Sequence, residues 1–151
     1  MTSLNQSAAS ATLHCLTGCA VGEILGMIIS TALGWAALAS IALAVTLAFI
    51  FGYAFSMFPL IKSGLGIAVA LKIALAADTL SILTMEITDN LFILAVPNAI
   101  HSELTSWLFW VSLILSLFVA FWVALPVNRY LISLGKGHAL AHKYHNHDHH
   151  D

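Results

Sequence analysis

Four long apolar runs, parted by short polar interruptions, constrain this chain more than any other feature. A helix that crosses a membrane needs about 20 mostly apolar residues at about 1.5 Å rise each. The runs lie at about 13 to 33, 36 to 58, 65 to 94 and 104 to 125. The breaks are Leu33-Gly34-Trp35, Pro59 with Lys62-Ser63-Gly64, and Pro97-Asn98 through Glu103, while Pro126, Asn128 and Arg129 close the fourth run. Connections this short make sequential helices pack antiparallel. The expected fold is all-α, an integral membrane four-helix bundle with antiparallel neighbours and short loops over residues 13–129, between a polar segment 1–12 and a His-rich cytoplasmic tail 130–151.

Composition excludes the main alternatives. Of 151 residues 60% are hydrophobic and 8% charged, against roughly 25% charged in an ordinary soluble domain. A water-soluble monomer is thereby excluded, and the lipid bilayer is the first expected partner. Five basic and seven acidic residues, net charge −2, leave no polybasic surface for phosphates, so no nucleic acid is expected to bind. With four alternating spans, Lys62, Arg129, Lys136 and Lys143 fall on the side of the N-terminus, and the other side holds no Lys or Arg. The positive-inside rule then predicts the cell inner (cytoplasmic) membrane with both termini cytoplasmic. The first residues carry neither a basic n-region nor a small-residue cleavage site, so no removed leader is expected. No enzyme is expected: H-E-x-x-H, G-x-S-x-G, a phosphate-cradling glycine loop and C-x-x-C-H are all missing.

Polar residues inside the spans carry the functional information, because a charge at the middle of a spanning helix costs about 2.5 to 3.5 kcal/mol. In the first span Cys15, Cys19, Glu23 and Met27 recur every four residues and form one row. Beside it, Gly18, Gly22, Gly26, Ser30 and Gly34 form a small-xxx-small seam. In the third span Asp78, Met85 and Asp89 share a direction to within about 20°, flanked by Ser81 and Glu86. Counted from the expected helix starts, Glu23 lies about 15 Å deep and Asp78 about 17 Å deep. That places two carboxylates together at the midplane, on crossings expected to run in opposite directions, where a shared proton, a metal cation or a counter-charge must offset them. Lys72 is the candidate counter-charge, and Asp89, near the expected outer interface, reads equally well as a solvated helix-end residue.

The ligand types point to metal. Thiolates and thioethers favour Cu(I), and thiolates also Zn(II), whereas carboxylates alone favour harder ions. His14, Cys15, Cys19 and Glu23 with Asp78, Met85 and Glu86 make a mixed ladder for a metal ion of the Cu or Zn class. In the tail His138, His142 and His145 fall at i, i+4 and i+7, followed by His147, His149 and His150, a second metal-binding element on the same side as His14 and Cys15. The expected function is transport or handling of metal cations, and the glycine seam offers a contact for a homo-oligomer. Two rivals stay open at this point: a proton or cation channel in which Glu23 and Asp78 share a proton, and a thiol redox or metalloprotein assembly factor in which Cys15 and Cys19 cycle between dithiol and disulfide.

The strings His14-Cys15-Leu16-Thr17-Gly18-Cys19 followed by Gly22-Glu23, and Ala77-Asp78-Thr79-Leu80-Ser81 followed by Glu86, resemble those of a bacterial family of small multi-spanning membrane proteins catalogued only as a domain of unknown function. The likeness covers nearly the whole chain. It implies a site rather than an activity, and, because family members carry Asp or Glu at the position of Glu23, a carboxylate there. Met85, Asp89 and the tail stand on the physical argument alone.

Overall fold

Two glycines set where the chain turns. Gly34 has φ +63° and Gly64 φ +97°, a region in which glycine carries no Cβ penalty. Each ends a helix with the same pair of bonds. Trp35 N–H donates to the Ser30 carbonyl (3.0 Å) and Gly34 N–H to that of Thr31 (3.1 Å); Leu65 N–H donates to Leu60 (3.3 Å) and Gly64 N–H to Ile61 (3.0 Å). These Schellman closures satisfy carbonyls the helices would otherwise leave open. In this computed structural model, which describes residues 2–99 and 103–134, they punctuate four helices: α1 Thr2–Ala32, α2 Ala37–Lys62, α3 Ile67–Ala95 and α4 Trp107–Ser133. The protein is all-α, a four-helix bundle.

All four helices are long and apolar enough to cross a membrane. Large side chains such as Leu38, Phe58, Ile67, Leu91 and Trp107 are exposed on the outside of the bundle, which is stable only where the surrounding solvent is lipid. The chain is a multi-pass membrane protein with the bilayer as its environment.

Three boundaries differ from the sequence expectation, for linked reasons. The prolines do not end their helices: α2 continues past Pro59 to Lys62 and α4 past Pro126 to Ser133. A helical proline lacks the N–H for the carbonyl four residues back, a cost that packing inside a membrane bundle tolerates. At the other end, α1 begins at Thr2, not near residue 13. Ala8 and Thr12 are fully buried, and Asn128 of α4 donates to Thr12 Oγ1 at 2.8 Å. The extra turns of α1 and α4 therefore support each other.

Register within the bundle follows from small residues. On α2, Ser40, Ala44, Ala48 and Gly52 are buried at four-residue spacing and receive the glycine row of α1. A Cβ at Gly18 would lie 2.6 Å from the Phe51 carbonyl oxygen, and one at Gly26 would lie 2.5 Å from Ala44 Cα. The seam read as a contact between protomers is thus occupied inside one protomer, and it carries no argument for a homo-oligomer. Helix α2 meets α3 through Tyr53, whose hydroxyl donates to Thr79 Oγ1 at 2.7 Å while Thr79 donates to the Leu75 carbonyl. Helix α4 closes the ring between α3 and α1. Helices α1 and α3 face each other across the diagonal. They run in the same direction, since two short turns reverse the chain twice. The expectation that the crossings of Glu23 and Asp78 are antiparallel is corrected accordingly.

Candidate functional site

Because α1 and α3 are parallel, their polar residues pair in ascending order. Cys15 lies level with Asp78, Cys19 with Glu86, and Glu23 with Glu86 and Asp89. Distances along the axes agree: at about 1.5 Å per residue, Glu23 stands about 32 Å from the start of α1, and Glu86 and Asp89 about 28 and 33 Å from the start of α3. Glu23 and Asp78 therefore do not meet. The expected pair fails because α1 starts earlier than the sequence indicates, which moves Glu23 past the middle of its helix. Its companions are Glu86 and Asp89.

These three carboxyl groups form the most distinctive feature of the interior. Glu23, Glu86 and Asp89 are 7%, 3% and 6% exposed. Glu23 Oε2, both Glu86 oxygens and Asp89 Oδ1 are buried with no hydrogen-bond donor. Their nearest polar neighbours are one another and, at Glu86, the Cys19 thiol. Asn90 Nδ2 donates to the Glu86 main-chain carbonyl (2.8 Å), and the Ser116 hydroxyl, beside Asp89, donates to the Leu113 carbonyl (2.8 Å). Buried acceptors without donors are costly. Three acids at one level concentrate that cost, which bound protons or a positively charged companion must offset.

Above the cluster opens a cavity of about 320 Å³. The three acids lie at its foot. Met27, Ile41, Val45, Ile93 and Leu113 are among its walls, and Trp35 and Glu103 line it toward the end that carries the α1–α2 and α3–α4 connections. A second cavity, of only about 30 Å³, sits toward the end of the termini and is lined in part by His14, Ser56, Pro59 and Asp78. Here Cys15 Sγ contacts Ser56 Oγ at 3.3 Å. Between the two lies a packed plug of Cys15, Cys19, Ala48, Ile82, Met85, Ala120 and Ala124. Gly52 makes room for it: a Cβ there would meet Ile82 Cδ1 at 2.9 Å and Cys19 Sγ at 3.5 Å.

The mixed metal ladder is distributed over these levels. His14 is exposed, with Nδ1 donating to the Ser10 carbonyl at 2.8 Å. Cys15, Cys19 and Met85 belong to the plug, Asp78 to the small cavity, and Glu23 and Glu86 to the acid cluster. Among the described residues, no three His, Cys, Asp or Glu side chains are placed to hold a metal ion. The tail residues His138, His142, His145, His147, His149 and His150 lie outside the described residues. Lys72 does not act as counter-charge: it is exposed, and among the described residues it forms no ion pair. Six residues at 100° each turn it about 240° from Asp78, away from the bundle interior.

Asp89 is the site residue that the sequence leaves ambiguous, since its nearness to the end of α3 reads as solvation. The signal for it is the pairing Glu86/Asp89 at i, i+3, which puts both on one face. A second signal is the row Ser112, Ser116, Ala120, Ala124 and Asn128 on α4, all buried, which supplies a small-residue surface opposite the acids. The chain belongs to the family described as a domain of unknown function, DUF4396, whose model matches residues 4–137. Searches of curated proteins and of solved structures returned no match.

Proposed function

We propose that this member of the DUF4396 family takes cations into the cell's inner (cytoplasmic) membrane and passes them across it. The observation that carries this reading is the foot of the larger cavity, where Glu23, Glu86 and Asp89 present buried oxygens without donors. An anionic floor under an open cavity attracts and desolvates positive charge, and intramembrane carboxylates line ion and proton pathways far more often than they pack passively. Lys62 and Arg129 at the opposite end favour an orientation with cytoplasmic termini, so that the cavity faces outward. Asp78 in the small cavity would serve as the second station, reached when the plug between the two cavities loosens. Metal ions of the Cu or Zn class would meet Cys15 and Cys19 in that plug, whereas protons would need only the acids. A homo-oligomer belongs to this reading because four helices offer little lining for a continuous path.

The test is charge displacement in reconstituted vesicles on a solid-supported membrane, after concentration jumps of Zn²⁺, Cu⁺, K⁺, H⁺ and a small organic ammonium ion. At least one cation should move charge in the wild type, and the signal should vanish when Glu23→Gln, Glu86→Gln and Asp89→Asn are combined. Signals identical in wild type and triple variant, or none for any cation, would overturn the proposal. Replacing both cysteines by serine then separates a soft-metal path, which fails, from a path through the acids alone, which survives.

A further inference from the structure

We infer that the cavity above the acid cluster receives a small organic cation, a protonated amine with an apolar body, whose ammonium group docks against Glu23, Glu86 and Asp89. This rests on the cation reading above and names the class of cargo. The size of the cavity favours such a cargo. A dehydrated metal ion is held by ligands at about 2.0 to 2.6 Å and needs no chamber, whereas about 320 Å³ falls at the lower end of small-molecule pockets, about 300 to 1,000 Å³.

Apolar and acidic surfaces are separated within the cavity. The walls contributed by Met27, Ile41, Val45 and Leu113 are apolar, and Glu23, Glu86 and Asp89 are gathered at one end, with Glu103 toward the other. Such a chamber matches a molecule with a greasy body and a charged head, with Thr31, Ser40, Asn90 and Ser112 adding a few polar side chains to the lining. Trp35 and Phe109 also line the space and add aromatic surface for the apolar body.

The orphan acceptors also fit the donors of such a head. An ammonium carries three N–H donors and no acceptor. Four carboxyl oxygens, Glu23 Oε2, Glu86 Oε1 and Oε2 and Asp89 Oδ1, await donors.

The test uses the full-length protein in detergent, with n-butylammonium as probe, neutral n-butanol as its uncharged counterpart, and Zn²⁺ and K⁺ as inorganic cations. Isothermal calorimetry should give saturable binding of n-butylammonium and none of n-butanol. Glu86→Gln, close in shape to the native residue, should weaken the amine by about tenfold or more, as expected for loss of a charged hydrogen-bond partner. Val45→Trp, which fills space from the cavity wall and leaves the acids in the sequence, should abolish amine binding while leaving the helical circular dichroism unchanged. Should Glu86→Gln prove unstable, Glu23→Gln provides the same readout. Equal binding of amine and alcohol, or amine binding indifferent to both acid and cavity variants, would overturn the inference. Acid-dependent binding of Zn²⁺ or K⁺ without the amine would overturn this cargo class and leave the cation reading standing. Binding of none of the cations would remove both.

Discussion

Replacing Gly18, Gly22 and Gly26 together by alanine should force α1 away from α2, and the structure sets the size of the effect. A Cβ at Gly26 would stand 2.5 Å from Ala44 Cα, so the helices must part by about 0.9 Å to reach an ordinary contact of 3.4 Å. At Gly18 and Gly22 the obstructing atoms are likewise backbone, of Phe51 and Gly52 and of Leu47 and Ala48. No flexible side-chain end is there to swing aside. Overpacking of this kind costs about 1 to 3 kcal/mol per site, and the better helix propensity of alanine returns about 1 kcal/mol. The net is about 1 kcal/mol per glycine and about 3 kcal/mol for the triple variant. Reversible unfolding in mixed micelles titrated with SDS reads this directly. Gly66→Ala is the control, since a Cβ at that position meets nothing within 4 Å, and it should stay within about 0.5 kcal/mol of wild type. Because Glu23 follows Gly22, the triple variant should also weaken cation binding at the acid cluster. A triple variant as stable as wild type would refute the close approach of α1 and α2 and, with it, the register that sets Glu23 opposite Glu86.

Three further outcomes follow from the same packing. A double-mutant cycle of Thr12→Val and Asn128→Ala should return a coupling of about 0.6 and at most about 1.7 kcal/mol, the range of interhelical hydrogen bonds in membranes; zero coupling would contradict the contact between the extended ends of α1 and α4. Cys15 and Cys19, 0% and 1% exposed, should resist maleimide in the folded protein and react fully in SDS, as mass spectrometry would show. Lys72→Met should change stability by no more than about 0.5 kcal/mol and leave cation binding intact, whereas a counter-charge to Asp78 would make the same change costly.

Much of the fold is written in the chain. The cost of burying polar groups in lipid makes four apolar runs legible, and the positive-φ glycines at 34 and 64 mark the turns. The same cost singles out Glu23 and Glu86. What the sequence leaves open is vertical register. A stretch of Ser, Thr, Gln and Asn before residue 13 looks like a solvated leader, and only the partner surface of α4, including Asn128, makes it a packed part of α1. That shift of several turns moves Glu23 from the level of Asp78 to that of Asp89. Prolines 59 and 126 mislead for a related reason, since a helix with packed neighbours can lose one bond and continue. The four-residue rows at Ser40, Ala44, Ala48 and Gly52 and at Ser112, Ser116, Ala120 and Ala124 are visible in the sequence, and read beside the glycine row they identify which helix faces meet.

The central claim is that an anionic floor lies beneath a cavity open at the end of the α1–α2 and α3–α4 connections. Modification of Met27→Cys, a position on the cavity wall, by cationic and anionic methanethiosulfonates of similar size tests it most directly. The native thiols are buried and leave the new one as the reporter. The cationic reagent should react about tenfold or more faster, from that face of the membrane, and combining Glu23→Gln, Glu86→Gln and Asp89→Asn should remove most of the preference. A thiol that reacts with neither reagent, or with the anionic one equally fast, would contradict the account.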